Sequence, residues 1–134
     1  MFRIRKQFTF DAAHRLPLHR GKCFNLHGHT YRVEVLLEAD NLMMREDGML
    51  CDFAVLGEAV KKHIIEPMDH AFIGRKSDLP HSEQPSKFFD MGSDYSTAEN
   101  IARQVFLILK RKNVPFLKEV TIWETPTSSA SYTE

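Results

Sequence analysis

The stretch Cys23-Phe24-Asn25-Leu26-His27-Gly28-His29-Thr30-Tyr31 constrains this chain more than any other, because it opens a run rich in β-branched and aromatic residues that continues to Leu37. Such a run predicts a strand beginning at the two histidines and ending near Glu38. Side chains on a strand alternate between faces, so His27 and His29 project to one side, where two imidazoles can reach one ion. Gly28 leaves the other side bare.

His14 reaches the same place from a neighbouring segment. Phe2, Ile4, Phe8, Phe10, Ala12 and His14 occupy even positions and Arg3, Arg5, Gln7, Thr9 and Asp11 odd ones, with Lys6 the one break. That alternation predicts a half-buried strand over about 2–13, with His14 ending its apolar face. Antiparallel pairing through a connection at 15–26 would bring His14 beside His27 and His29. Three neutral imidazoles without an obvious fourth ligand describe a catalytic zinc with an open position. Two plainer readings stand beside it: singly satisfied polar histidines, or a closed structural site with Cys23 as fourth ligand.

Length and charge narrow the class. The 134 residues predict a single domain over 1–134, and 18 Lys and Arg balance 18 Asp and Glu, so overall charge favours neither nucleic acid nor an anionic membrane as partner. No run reaches transmembrane length, and Met1-Phe2-Arg3-Ile4-Arg5-Lys6 lacks the apolar core of a signal peptide. A cytoplasmic protein with Cys23 and Cys51 unpaired is the expectation.

Along the chain, Arg15, His19, Arg20 and Lys22 crowd the connection before the histidine pair, either to hold an anionic group such as a phosphate or simply as a solvated loop. Asp47-Gly48 marks a turn. Asp52 predicts the N-cap of a helix over 53–65, with Val55, Leu56, Ala59, Val60 and Ile64 as its apolar stripe. Asp69-His70 follows Pro67 and can act as a carboxylate-tuned proton relay, or only as a solvated helix end. Residues 74–95 read as a long loop with a short strand near 87–91.

Ser96-Thr97-Ala98-Glu99 reads as a capping box opening a helix through Ile101, Val105, Ile108 and Leu109, which gives Glu99 a structural explanation. A strand over about 116–125 puts Val120, Ile122 and Glu124 on one face. Burying a carboxylate there is costly unless it is paired, so Glu124 is a candidate anchor for a ligand with a planar array of N–H donors, or else bends out to water. Ser131-Tyr132-Thr133 suits a last short strand. The predicted class is α+β, an antiparallel four-stranded sheet with two helices on one face, whose open edges invite oligomerisation.

These segments resemble the 6-pyruvoyltetrahydropterin synthase family, and within it the bacterial 6-carboxytetrahydropterin synthases of queuosine biosynthesis. The resemblance runs through Phe10-Asp11-Ala12-Ala13-His14-Arg15-Leu16, Cys23-x-x-x-His27-Gly28-His29, Asp52-Phe53, Asp69-His70, Thr97-Ala98-Glu99-Asn100 and Trp123-Glu124-Thr125-Pro126-Thr127-Ser128. It implies a tunnelling fold whose sheets join into a barrel, commonly as a homohexamer of two trimers. It further implies Zn2+ on His14, His27 and His29, Cys23 as proton acceptor with Asp69 and His70 as relay, and Glu124 as pterin anchor and relay member. Thr97 and Glu99 match positions near the pterin pocket. The implied substrate is 7,8-dihydroneopterin triphosphate, losing triphosphate and then acetaldehyde. Two rivals are a pyruvoyl-forming synthase that eliminates only triphosphate and a zinc-stabilised, non-catalytic binding module. The 74–95 stretch departs from the family's shorter link.

Overall fold

The computed structural model describes residues 1–79, 81–82 and 84–134, with the backbone alone at position 42. Strands β1 (Phe2–His14) and β2 (His27–Ala39) pair antiparallel with His14 opposite His27 and Ala12 opposite His29. The connection at 15–26 is as the alternation requires. Even positions of β1 from Phe8 onward and odd positions of β2 from Tyr31 onward are buried together, so Phe8, Phe10, Tyr31, Val33, Val35 and Leu37 form one apolar floor, while Phe2 at the start of β1 is exposed.

Two helical segments cover that floor. Helix α1 (Phe53–Val60) starts where the Asp52 carboxylate accepts from the Ala54 N–H at 2.8 Å. It runs on through a π-helical turn, Lys61–Ile65, into a last α turn, α2 (Glu66–Met68). Leu56, Val60 and Ile64 face the core as expected, whereas Val55 is 59% exposed and leaves the stripe. Helix α3 (Ala98–Arg111) buries Ile101, Ala102, Val105, Phe106 and Leu109, a spacing of three and four that keeps one face inward. Each large side chain so buried contributes roughly 1.5–3 kcal/mol.

The sheet corrects the expectation of four antiparallel strands. Six strands are present among the described residues, in the order β4-β3-β1-β2-β5-β6, and the sheet is mixed. Strand β5 (Leu117–Thr125) pairs antiparallel with β2, and β6 (Ser128–Thr133) antiparallel with β5. On the other side β3 (Ala71–Gly74) lies parallel to β1, and β4 (Phe88–Asp90) parallel to β3. Strand β3 is four residues long and buried throughout, so no alternation betrays it in the sequence. The long 74–95 stretch thus carries β4 and a 3₁₀ turn, Lys76–Asp78, where Arg75 grips the buried Asp78 carboxylate at 2.7 and 3.0 Å. Positions 80 and 83 of that stretch lie outside the described residues.

Candidate metal centre and adjoining cleft

The three histidines meet where β1 ends and β2 begins. Strand alternation turns all three imidazoles onto the helix-covered face, and their ligand atoms lie within 4.8 Å of one another. Gly28 relieves a tight approach: a Cβ there would stand 3.2 Å from the Ala12 carbonyl oxygen of the paired strand.

Main-chain acceptors set the tautomers. His14 Nδ1 donates to the Ser96 carbonyl at 2.8 Å, and His27 Nδ1 donates to the Asn25 carbonyl at 2.7 Å. In the neutral rings the remaining Nε2 atoms carry lone pairs, and these two face each other at 2.9 Å. Two lone pairs so close repel unless a cation lies between them. His29 Nε2 is buried with no hydrogen-bond partner among the described residues. Tetrahedral zinc with Zn–N bonds of ~2.0–2.1 Å sets its nitrogens about 3.3 Å apart, a spacing this cluster can supply. With His14 buried, His29 Nε2 without a partner among the described residues, and the outer nitrogens of His14 and His27 held by backbone carbonyls, the set fits a divalent metal.

Electrostatics favour the neutral forms of His14 and His29. Burial pushes His14 down to about 4, against the opposing Ser96 hydrogen bond, and the neighbouring imidazoles add to the fall. Burial also lowers His29, partly offset by the Glu124 carboxylate. Tyr31, fully buried and with no hydroxyl partner among the described residues, packs its ring against His14 and His29, and burial together with Glu124 and Cys23 pushes its phenol upward.

Glu124 comes to the cluster from β5. It sits at a register shift between β5 and β6, and its Oε1 lies 4.0 Å from His14 Nε2 with the side chain 24% exposed. A bulge re-aims a side chain in this way. With Leu16, Thr97, Glu99 and Ser128 it lines a cleft of about 210 Å³. Thr97 is the true N-cap of α3, its hydroxyl accepting from the Asn100 N–H at 3.3 Å, one residue later than the capping-box reading. Glu99 is therefore not the box's carboxylate, and its side chain is left for the cleft. Ser96 instead supplies the carbonyl that orients His14.

Cys23 lies in a 3₁₀ turn, Lys22–Phe24, half-buried, and its carbonyl accepts from the Leu16 N–H at 2.8 Å. Its sulfur does not join the histidine group. Asp69 and His70 gather elsewhere, with Asp11, within 4.8 Å of one another. Asp69 Oδ1 accepts from the Asp11 N–H at 2.9 Å, His70 Nε2 stands 3.9 Å from Asp69 Oδ2, and His70 has a left-handed backbone with φ 59°. Asp11 and Thr30 alternate with Ala12 and His29, so within one chain this group occupies the opposite sheet face from the imidazoles. A cavity of about 620 Å³ adjoins it, lined by Thr30, His70, Ser86 and Lys87 among others.

The carbonyls of Ser96 and Asn25 carry no sequence signal, because any residue has one. Asp11 lies on the polar side of β1 and looks like a solvated strand residue until β3 and its preceding pair dock beside it.

Comparison with known proteins identifies the family. The family model described as 6-pyruvoyl tetrahydropterin synthase matches residues 3–134. A Haemophilus influenzae protein named 6-carboxy-5,6,7,8-tetrahydropterin synthase is 42% identical, with 100% of both chains covered. One of that name from Synechocystis is 36% identical over 98% of this chain and 93% of its own. Among solved structures, the 6-pyruvoyl tetrahydropterin synthase of Caenorhabditis elegans superimposes with a TM-score of 0.72 at 29% identity, covering 99% of this chain and 95% of its own. A Wolinella succinogenes structure, with a TM-score of 0.79 at 23% identity over 98% and 97% of the two chains, shares the fold. The motifs, the sheet with its two helical layers and these full-length matches together place the chain in the 6-pyruvoyl tetrahydropterin synthase family, among pterin synthases.

Proposed function

We propose that this chain is a zinc-dependent 6-carboxy-5,6,7,8-tetrahydropterin synthase, a lyase converting 7,8-dihydroneopterin triphosphate to the 6-carboxy pterin with loss of acetaldehyde and triphosphate, on the route to queuosine and related 7-deazapurines. The observation that carries the reading is the convergence of three imidazoles, two of them with tautomers set by backbone carbonyls, beside Glu124 and its cleft. The names of the full-length relatives support the choice of product.

In this reading His14, His27 and His29 hold the metal. When bound, zinc supplies Lewis acidity that polarises side-chain oxygens of the substrate and acidifies the adjoining C–H and O–H bonds. Glu124 accepts from the N–H donors of the pterin edge and so fixes the ring, with Thr97 and Glu99 lining the same cleft. Cys23 receives the proton taken from the substrate's side chain. Asp69 orients and His70 relays, and because the pair lies on the other sheet face they reach a site by assembly of several copies. Joining the outermost strands β4 and β6 to neighbouring copies as a barrel-forming homohexamer is the proposed arrangement, in the cytoplasm.

The test is incubation of zinc-loaded protein with 7,8-dihydroneopterin triphosphate, with products identified by mass and acetaldehyde assayed. A 6-carboxy pterin with acetaldehyde supports the reading. Triphosphate loss with the carbon side chain retained makes it the pyruvoyl-forming synthase, the activity in the name of its Caenorhabditis elegans structural neighbour. No turnover leaves the zinc-stabilised binding module.

A further inference from the structure

The segment from Ala12 to Val33 contains no Asp or Glu yet carries Arg15, Arg20, Lys22 and Arg32, in a chain whose 18 basic and 18 acidic side chains balance. Two of these cations are committed. Arg32 lies on the Trp123 ring, 4.5 Å from its centre, and Arg15 donates to the Phe24 carbonyl at 3.1 Å with its guanidinium over the Phe24 ring. Arg20 and Lys22 are exposed and form no ion pair among the described residues.

Their loop is built rather than loose. Leu16 N–H donates to Cys23 O at 2.8 Å, His19 N–H to Leu16 O at 3.0 Å, Phe24 N–H to Gly21 O at 3.2 Å, and Gly21 N–H to His19 Nδ1 at 2.9 Å. Both of its ends are histidines of the metal cluster, and Leu16 lines the cleft of Glu99 and Glu124. The cleft therefore has a polarity. Two carboxylates suit N–H donors and repel phosphate, while the adjoining loop offers unpaired positive charge with no acid in its own segment.

From this juxtaposition we propose that Arg20 and Lys22 form a polyphosphate site, holding the anionic tail of the substrate while Glu124 holds its ring. The assignment rests on the pterin triphosphate reading of the cleft. Arginine contributes a two-pronged grip on phosphate oxygens and lysine a compact charge, and neither side chain loses an existing partner on binding.

Inorganic tripolyphosphate is the probe, titrated calorimetrically into the zinc-loaded full chain. Arg20→Ala with Lys22→Ala is set against Arg111→Ala with Lys112→Ala, which removes equal charge at the end of α3. The loop variant is expected to bind tripolyphosphate at least about tenfold more weakly and the α3 variant as wild type does. In turnover the loop variant raises KM for the pterin triphosphate by about the same factor with kcat within about twofold. Equal affinity in the loop variant, equal losses in both variants, or no binding by wild type would overturn the proposal. Loss of tripolyphosphate binding in the loop variant, with no pterin turnover by wild type, would overturn the proposed reaction and leave the anion site standing.

Discussion

His14 and His27 present their Nε2 atoms to each other at 2.9 Å while each gives its Nδ1 hydrogen to a backbone carbonyl. The backbone has thus fixed which nitrogen of each ring is available. The fold prepares His14 and His27 as ligands, which would lower the ordering cost of binding the proposed metal.

Acid should destabilise the metal-free protein through His14. Its pKa falls from 6.5 to about 4 on folding because the ring is buried. The unfolded chain then binds the proton more readily, so stability is complete above about pH 6.5 and declines as pH falls through the window down to about 4. The loss amounts to roughly 3 kcal/mol at most. Urea midpoints at pH 7 and 4.5, compared between wild type and His14→Gln, measure it: wild type should lose more than the variant, and parallel losses would refute the assignment.

Cys23→Ala should keep the metal and lose activity. The sulfur lies outside the histidine group, so metal content by emission spectrometry should stay at the wild-type level. Removing the proposed proton acceptor should lower kcat by about 10²-fold or more. Metal lost together with the thiol would point to a closed four-ligand site.

Glu124→Gln tests ring anchoring. The amide keeps the shape of the carboxylate but not its charge, weakening charge-assisted hydrogen bonds worth about 1.5–3 kcal/mol. Pterin binding followed by fluorescence quenching should weaken by about tenfold or more, with zinc retained. Unchanged affinity would return Glu124 to a solvated strand residue.

Thr97 and Glu99 should separate cleanly. Thr97→Ala removes the helix cap at the Asn100 N–H and should cost about 1 kcal/mol in denaturant titration. Glu99→Gln removes no cap and should leave stability within about 0.5 kcal/mol while raising KM. A stability loss at Glu99 matching that at Thr97 would restore the capping-box reading.

The histidine site was legible in the sequence because period-two patterning fixes faces: His27, His29 and His14 all fall in register with buried apolar positions. Glu124 was legible for the same reason, continuing Val120 and Ile122. What alternation could not reveal was β3, buried on both faces, and hence the true strand count. The cap slipped by one residue because Ser96 and Thr97 are chemically equivalent candidates, and only the fold commits the Ser96 carbonyl to His14. Likewise the pair Asp69-His70 was readable as chemistry but not as location. Its position opposite the imidazoles follows from docking against Asp11, a contact between residues 58 apart in sequence.

X-ray absorption at the zinc edge of the metal-loaded protein separates an open three-histidine centre from a closed one. An open centre gives nitrogen and oxygen neighbours only, at ~2.0–2.1 Å, with scattering from three imidazoles. A sulfur neighbour near ~2.3 Å would contradict it and make the site a closed structural one that includes Cys23.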